Sequence, residues 1–236
     1  MTTIKNSFIL LLCTILLVCS VSLMSPRLES VLSNSLQVSL KKFTVVIDAG
    51  HGGFDSGKVG VDGTLEKDIN LSIAKKLESL LHSADIHVIL TRSEDADFCD
   101  STSKNQKRQD LQNRINLINE FNADCVISIH QNSYPEESID GAQVFYYTNS
   151  PEGNILATLL QHSLIQTVDP QNHRTAKAND SYFLLKNSSS PIVIAECGFL
   201  SNWEESKKLV DDSYQQKLAW AIHLGILQYL NGVTLS

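Results

Sequence analysis

The stretch VVIDAGHGG, Val45 to Gly53, runs from a β-branched apolar triplet through an aspartate into a histidine set among glycines. Stiff β-branched side chains favour an extended backbone, and an apolar run with no polar alternation predicts a strand covered on both faces. Three uses of the loop that follows compete: a phosphate cradle, a tight turn with an incidental histidine, or a metal site that needs room around its ligand. Spacing removes the first. A dinucleotide loop requires G-x-G-x-x-G, but Gly50 and Gly52 are followed by Asp55 where the last glycine belongs, and no Lys-Ser/Thr pair completes a P-loop. Gly52 and Gly53 instead offer a backbone that a bulky substrate and a metal ion can approach closely.

Outward from this strand the chain alternates between two periodicities. Phe43 to Ile47 predicts a strand, and Leu65 to Leu81 a helix whose apolar face is Ile69, Ile73, Leu77 and Leu80, with Thr64 as its N-cap. Ile86 to Leu90 predicts a strand, Ser93 to about Lys104 a polar loop, and a helix through Leu111, Ile115 and Ile118 ends near Phe121 and Asn122. Cys125 to Ile129 predicts a strand covered on both faces, Gly141 to Tyr147 an edge strand, and Pro151 to Val168 a helix. Pro191 to Ala195 is another buried strand, and Ser213 to Leu230 a closing helix. This alternation implies an α/β fold: a single domain with a mostly parallel, open, twisted sheet and helices on both faces.

At 236 residues, 42% hydrophobic and 19% charged, the chain has the composition of an ordinary globular protein with one sizeable core. A net charge of −7 argues against nucleic acid as a partner. The N-terminus differs from the rest: Lys5 precedes a stretch from Asn6 to Pro26 without a charged residue, including FILLLCTILLVCSVSLM. Residues 1–25 are therefore expected to be a signal peptide or an uncleaved membrane anchor, residues 26–40 a tether, and residues 41–236 the catalytic domain. Either form of the segment places the domain outside the cytoplasmic membrane, secreted or anchored. Cys99, Cys125 and Cys197 are an odd set at spacings that make no disulfide framework, so stability must come from the core.

His51 lies just past the first strand, His130 ends CVISIH and Glu196 ends PIVIAE. In an open parallel sheet those ends share the edge where ligands bind. Glu66 opens the helix that begins at the same edge, where a carboxylate also suits the helix dipole. Glu196 lies between the apolar Ile192–Ala195 run and Cys197–Leu200. An unpaired buried carboxylate costs several kcal/mol (roughly), so a positive partner is expected beside it. Two histidines and two glutamates supply one consistent answer: a divalent metal with three protein ligands, an open position for water, and the remaining carboxylate as base. Which glutamate does which remains open on these grounds. Asp48 either orients a ligand histidine or holds the turn, and Asn132 either contacts substrate or shapes its own turn. Arg92 and Arg114 read as structural ion-pairing residues. His173, Arg174 and Lys177 are candidates for the groove, whereas His82, His87, His162 and His223 lie away from these motifs.

The segments VIDAGHGGFDSG, LEKDINL, ILTRSED, LQNRINLINEFNAD with CVISIHQNS, and IVIAECGFLSN together resemble the zinc-dependent N-acetylmuramoyl-L-alanine amidases of the bacterial cell wall, amidase type 3. The resemblance spans about Lys41 to Leu230. It implies that His51, Glu66 and His130 bind Zn2+ and that Glu196 is the catalytic base. It also implies hydrolysis of the amide between the lactyl group of N-acetylmuramic acid and L-alanine in peptidoglycan. Within the family, an exported segment joined to an amidase domain without wall-binding repeats most resembles the spore-cortex amidases of endospore-formers, which clear peptide so that muramic-δ-lactam can form. Localisation would then rest on the membrane segment, the groove itself or a protein partner. The alternatives are a zinc carboxypeptidase-like peptidase, a non-catalytic wall-binding protein, and a cysteine hydrolase using Cys197, which would need a histidine beside its thiolate.

Overall fold

The computed structural model describes residues 43–100 and 102–234. The export segment and tether expected over residues 1–25 and 26–40 lie outside the described residues. The first half of the domain holds β1 (Thr44–Ala49), α1 (Glu66–Ser83), β2 (His87–Leu90), α2 (Gln106–Glu120) and β3 (Cys125–Asn132). The second half holds β4 (Gln143–Tyr147), α3 (Pro151–Thr167), β5 (Lys177–Asn179), α4 (Phe183–Asn187), β6 (Ile192–Phe199), α5 (Trp203–Leu209) and α6 (Asp212–Leu230). No helix among the described residues is long and apolar enough to cross a membrane.

The strands form one sheet in the order β2-β1-β3-β6-β4-β5. β2, β1, β3 and β6 run parallel, β4 returns antiparallel to β6, and β5 follows β4 in parallel. The domain is thus α/β with a mostly parallel sheet, as the alternation implies. One expectation is corrected: Gly141–Tyr147 is not an edge strand, because three residues of β5 pair outside β4.

Successive side chains of a strand point to opposite faces, and here that parity sorts the core. Val45, Ile47, Cys125, Ile127, Val193 and Ala195 meet α1, α3 and α6 on one face. Val46, Val126, Ile192 and Ile194 meet Ile115 and Ile118 of α2 and Leu184 and Leu185 of α4 on the other. At about 1.5–3 kcal/mol for each fully buried aliphatic side chain, the first face is the main source of stability. The second face is covered by shorter apolar runs. Asp48, Ser128, His130 and Glu196 continue its side-chain parity toward the carboxyl ends of β1, β3 and β6, where the apolar cover stops.

Two local details differ from expectation. The cap of α1 is Leu65, which makes no side-chain cap, rather than Thr64. The carboxylates Glu66 and Asp68 occupy the first turn instead, where they complement the helix dipole. β3 and β6 also run past His130 and Glu196, which face each other in register one step before an irregularity between His130 and Asn132. These two functional candidates therefore sit within paired strands rather than at frayed ends.

Candidate metal centre

His51 is held in the left-handed backbone region at φ 61°, a conformation that costs a non-glycine residue energy and that the surroundings must enforce. They do so through Arg114, a buried side chain of α2. Its guanidinium donates to the carbonyls of Ala49 (3.1 Å) and His51 (3.1 Å) and to Asp48 Oδ1 at 2.7 Å. Asp48 also accepts from Thr91 Oγ1 at 2.9 Å and Ser128 Oγ at 2.5 Å. Burial alone would raise the pKa of Asp48, but the charge of Arg114 and the bonds from Ser128 and Arg114 hold it below its ordinary value. Asp48 therefore acts on the loop through Arg114, and among the described residues its side chain makes no hydrogen bond to a histidine.

Arg92 is also structural, but among the described residues it forms no ion pair. It donates to the carbonyls of Ala49, Gly50, Lys67 and Glu94. The glycines are used differently from expectation as well. A Cβ at Gly52 would meet Ala96 O at 2.2 Å, and one at Gly53 would meet Asp97 at 2.0 Å, so both make room for the acidic loop after β2. It is Gly50 and Gly57 that face the site: a Cβ there would fall 2.3 Å from the His130 ring and 2.5 Å from Glu66 Oε2.

These constraints bring His51, Glu66 and His130 together. Glu66 Oε1 lies 3.2 Å from His51 Nε2 and 3.0 Å from His130 Nδ1, and the three donor atoms lie within 4.8 Å of one another. Donors bound to a tetrahedral zinc at ~2.0–2.1 Å sit about 3.3 Å apart, so the spacing around Glu66 fits that ion. Asp55, at 2.9 Å from His51 Nδ1, fixes the ring so that Nε2 points inward. Asp55 was missed at the sequence level, although an acidic residue four positions after the histidine in HGGFD was the available signal. Glu66 is also anchored by donors from the backbone N–H of Lys58 (2.7 Å) and Gln131 (3.1 Å) and from Asn70 Nδ2 (3.3 Å). Burial would raise its pKa, but the hydrogen bonds and charges of His130 and His51 outweigh this and hold Glu66 far below the usual carboxylate range.

Glu196 enters the same cavity of about 480 Å³, which Asn132 and Tyr182 also line. Its environment is the opposite of that of Glu66. The Tyr182 hydroxyl acts on the carboxyl group to favour its charged form, but Oε2 has no hydrogen-bond partner among the described residues. Burial, reinforced by the negative charge of Glu66 and opposed by the histidines, pushes the Glu196 pKa up to about 7. Tyr182, itself pushed up to about 12 by burial and then by the Glu196 charge, stands at the start of α4 and packs edge-on to Phe145 at 5.6 Å. No sequence pattern had marked it.

The other candidates are elsewhere. Arg174 donates to Asp140 O (2.7 Å) and Gln143 Oε1 (3.2 Å) and lies over the Phe199 ring, and neither it, His173 nor Lys177 lines the cavity. Cys197 belongs to the core on the opposite face of the sheet, its thiol pushed up by burial and donating to Ala195 O, so it has no access to the cavity.

Residues 45–228 match the model of the family described as N-acetylmuramoyl-L-alanine amidase. The chain belongs to this amidase family. The amidase is 37% identical over 188 residues to the germination-specific N-acetylmuramoyl-L-alanine amidase of Bacillus subtilis, which covers 78% of each chain. Among solved structures it is similar to the CwlD amidase of Clostridioides difficile, determined in complex with the GerS lipoprotein, at 41% identity and a TM-score of 0.78 over 80% of this chain and 99% of that one. It is also similar to the amidase AmiC2 of Nostoc punctiforme, at 34% identity and a TM-score of 0.70, covering 80% and 98% of the two chains.

Proposed function

We propose that this amidase holds Zn2+ through His51, Glu66 and His130 and cleaves the amide between the lactyl group of N-acetylmuramic acid and the L-alanine of the peptidoglycan stem, with Glu196 as general base. The observation that carries the reading is the pair of carboxylates in one cavity: one ringed by donors beside two histidine nitrogens, the other buried with an unpartnered oxygen. Zinc, when bound, supplies a coordinated water of pKa about 7 and polarises the substrate carbonyl. Glu196 takes a proton from the attacking water and returns it to the departing L-alanine nitrogen, a task for which a pKa near neutrality is suited. Asp55 keeps the proton on His51 Nδ1 and so keeps Nε2 available.

The same reading places the protein outside the cytoplasmic membrane, at the spore cortex, where removal of stem peptides precedes muramic-δ-lactam formation. The germination-specific relative supports the cortex, and the lipoprotein bound to the Clostridioides difficile amidase supports a protein partner for localisation. Digestion of purified peptidoglycan, read by mass spectrometry, tests the chemistry. Stem peptides with a free L-alanine amino group should appear with the wild type and be absent with Glu196→Gln. Release of C-terminal amino acids instead would make the protein a carboxypeptidase.

A further inference from the structure

Two lysines, Lys58 and Lys107, line the catalytic cavity of this acidic protein. Two lysines outside the cavity are closely paired, Lys67 with Asp95 at 2.6 Å and Lys76 with Asp212 at 2.5 Å. Lys58 has its backbone N–H fixed on Glu66 Oε2, but its ammonium has no ion-pair or hydrogen-bond partner among the described residues. Lys107, in the first turn of α2, lies 3.6 Å from Asp55 Oδ2 with its side chain 67% exposed. That distance is beyond a hydrogen bond, and the same oxygen already faces His51 Nδ1 at 2.9 Å. Lys107 is thus held to the protein only by a loose ion pair and Lys58 by none among the described residues, and both residues line the cavity that holds His51, Glu66 and His130.

A lysine is a compact, hydrated point charge that attracts an anion without demanding planar geometry. The glycan side of the scissile bond offers hydroxyls and acetamides, which are neutral. Anionic groups lie on the peptide side. We propose that Lys58 and Lys107 form a subsite for a free carboxylate on the peptide leaving group, one residue beyond the L-alanine, and so select stems in which that carboxylate is not amidated. This rests on the amidase reading above and deepens it.

The test uses the zinc-loaded enzyme and two synthetic N-acetylmuramoyl-L-alanyl peptides that differ only in the next residue, which bears a free carboxylate in one and a carboxamide in the other. The wild type should prefer the acid by about tenfold in kcat/KM, mainly through KM, in the range of one charge-assisted contact, and raised salt should shrink the preference. The Lys58→Gln/Lys107→Gln double variant should bring the ratio close to one, and Lys58→Arg/Lys107→Arg should restore it. A double variant that keeps the wild-type ratio, or that loses kcat equally on both substrates, overturns the subsite. Glu196→Gln distinguishes the two levels: if it is inactive while the ratio ignores the lysines, only the subsite fails; if it cleaves normally, the amidase reading of the site fails with it.

Discussion

Glu66 and Glu196 share one cavity and are 2% and 7% exposed, yet the chain treats them in opposite ways. Around Glu66 the first turn of α1, the Lys58 and Gln131 backbone and two histidines converge, so the carboxylate stays ionised. Around Glu196 the neighbours in β6 are apolar, one oxygen is unpartnered and the pKa rises to about 7. Environment alone suits identical side chains to separate tasks: a fixed anion to holding a cation, and a poised carboxyl to moving a proton. The lesson is that burial is not the deciding variable; the supply of donors is.

The largest expected effect comes from undoing what braces the Glu66 side. Asp48→Asn removes the nearer of the two carboxylates paired with the buried Arg114 guanidinium, Asp110 Oδ2 at 3.2 Å remaining, and should cost about 2–3 kcal/mol of stability at neutral pH, measured by urea unfolding. The folded pKa of Asp48 is depressed, so its contribution is fully present above the unfolded value near ~4 and is lost as pH falls through the lower folded value. The wild type and the variant should therefore converge in stability in strong acid; a gap below about 1 kcal/mol at neutral pH would show that the pair does not hold the loop. A smaller effect is expected one step nearer the donors. Asp55→Asn should weaken zinc binding by about 10–100-fold in a chelator competition, because His51 loses the partner that orients it. Unchanged affinity would remove Asp55 from the account.

The smallest effect sharpens the Glu196 side. The Tyr182 hydroxyl lowers the Glu196 pKa, so Tyr182→Phe should raise it and move the acid limb of kcat/KM to higher pH. The rate near neutrality should fall about fivefold, in line with a loss of about 1 kcal/mol in stabilisation of the charged carboxylate. In the wild type that limb should fall away as pH drops through the burial-raised pKa of Glu196, since protonated Glu196 cannot act as a base. A limb that Tyr182→Phe leaves in place would assign it to another group.

The two sides were not equally legible in the sequence. His51, Glu66, His130 and Glu196 stood out because each is a polar residue where an apolar period stops, and the parallel strand pattern puts such stops on one edge. Their supports did not. Asp55 and Asp48 are both aspartates near a turn, and only the fold decides that one bonds a histidine and the other an arginine. Tyr182 reaches Glu196 across a long sequence interval by way of α4, a helix too short to leave a period. The antiparallel return of β4 and its pairing with the three residues of β5 were hidden for a related reason: pairing direction is set by the connections, not by the pattern within a strand.

Bound zinc and turnover, measured together in Glu66→Gln and Glu196→Gln, test the division of labour most directly. The account predicts that Glu66→Gln loses stoichiometric zinc and, with it, cleavage. Glu196→Gln should keep zinc at the wild-type ratio while its cleavage of peptidoglycan falls by a factor of about 10²–10⁴, the usual contribution of a general base. Loss of zinc from Glu196→Gln, or zinc retained by Glu66→Gln at the wild-type ratio, would contradict it.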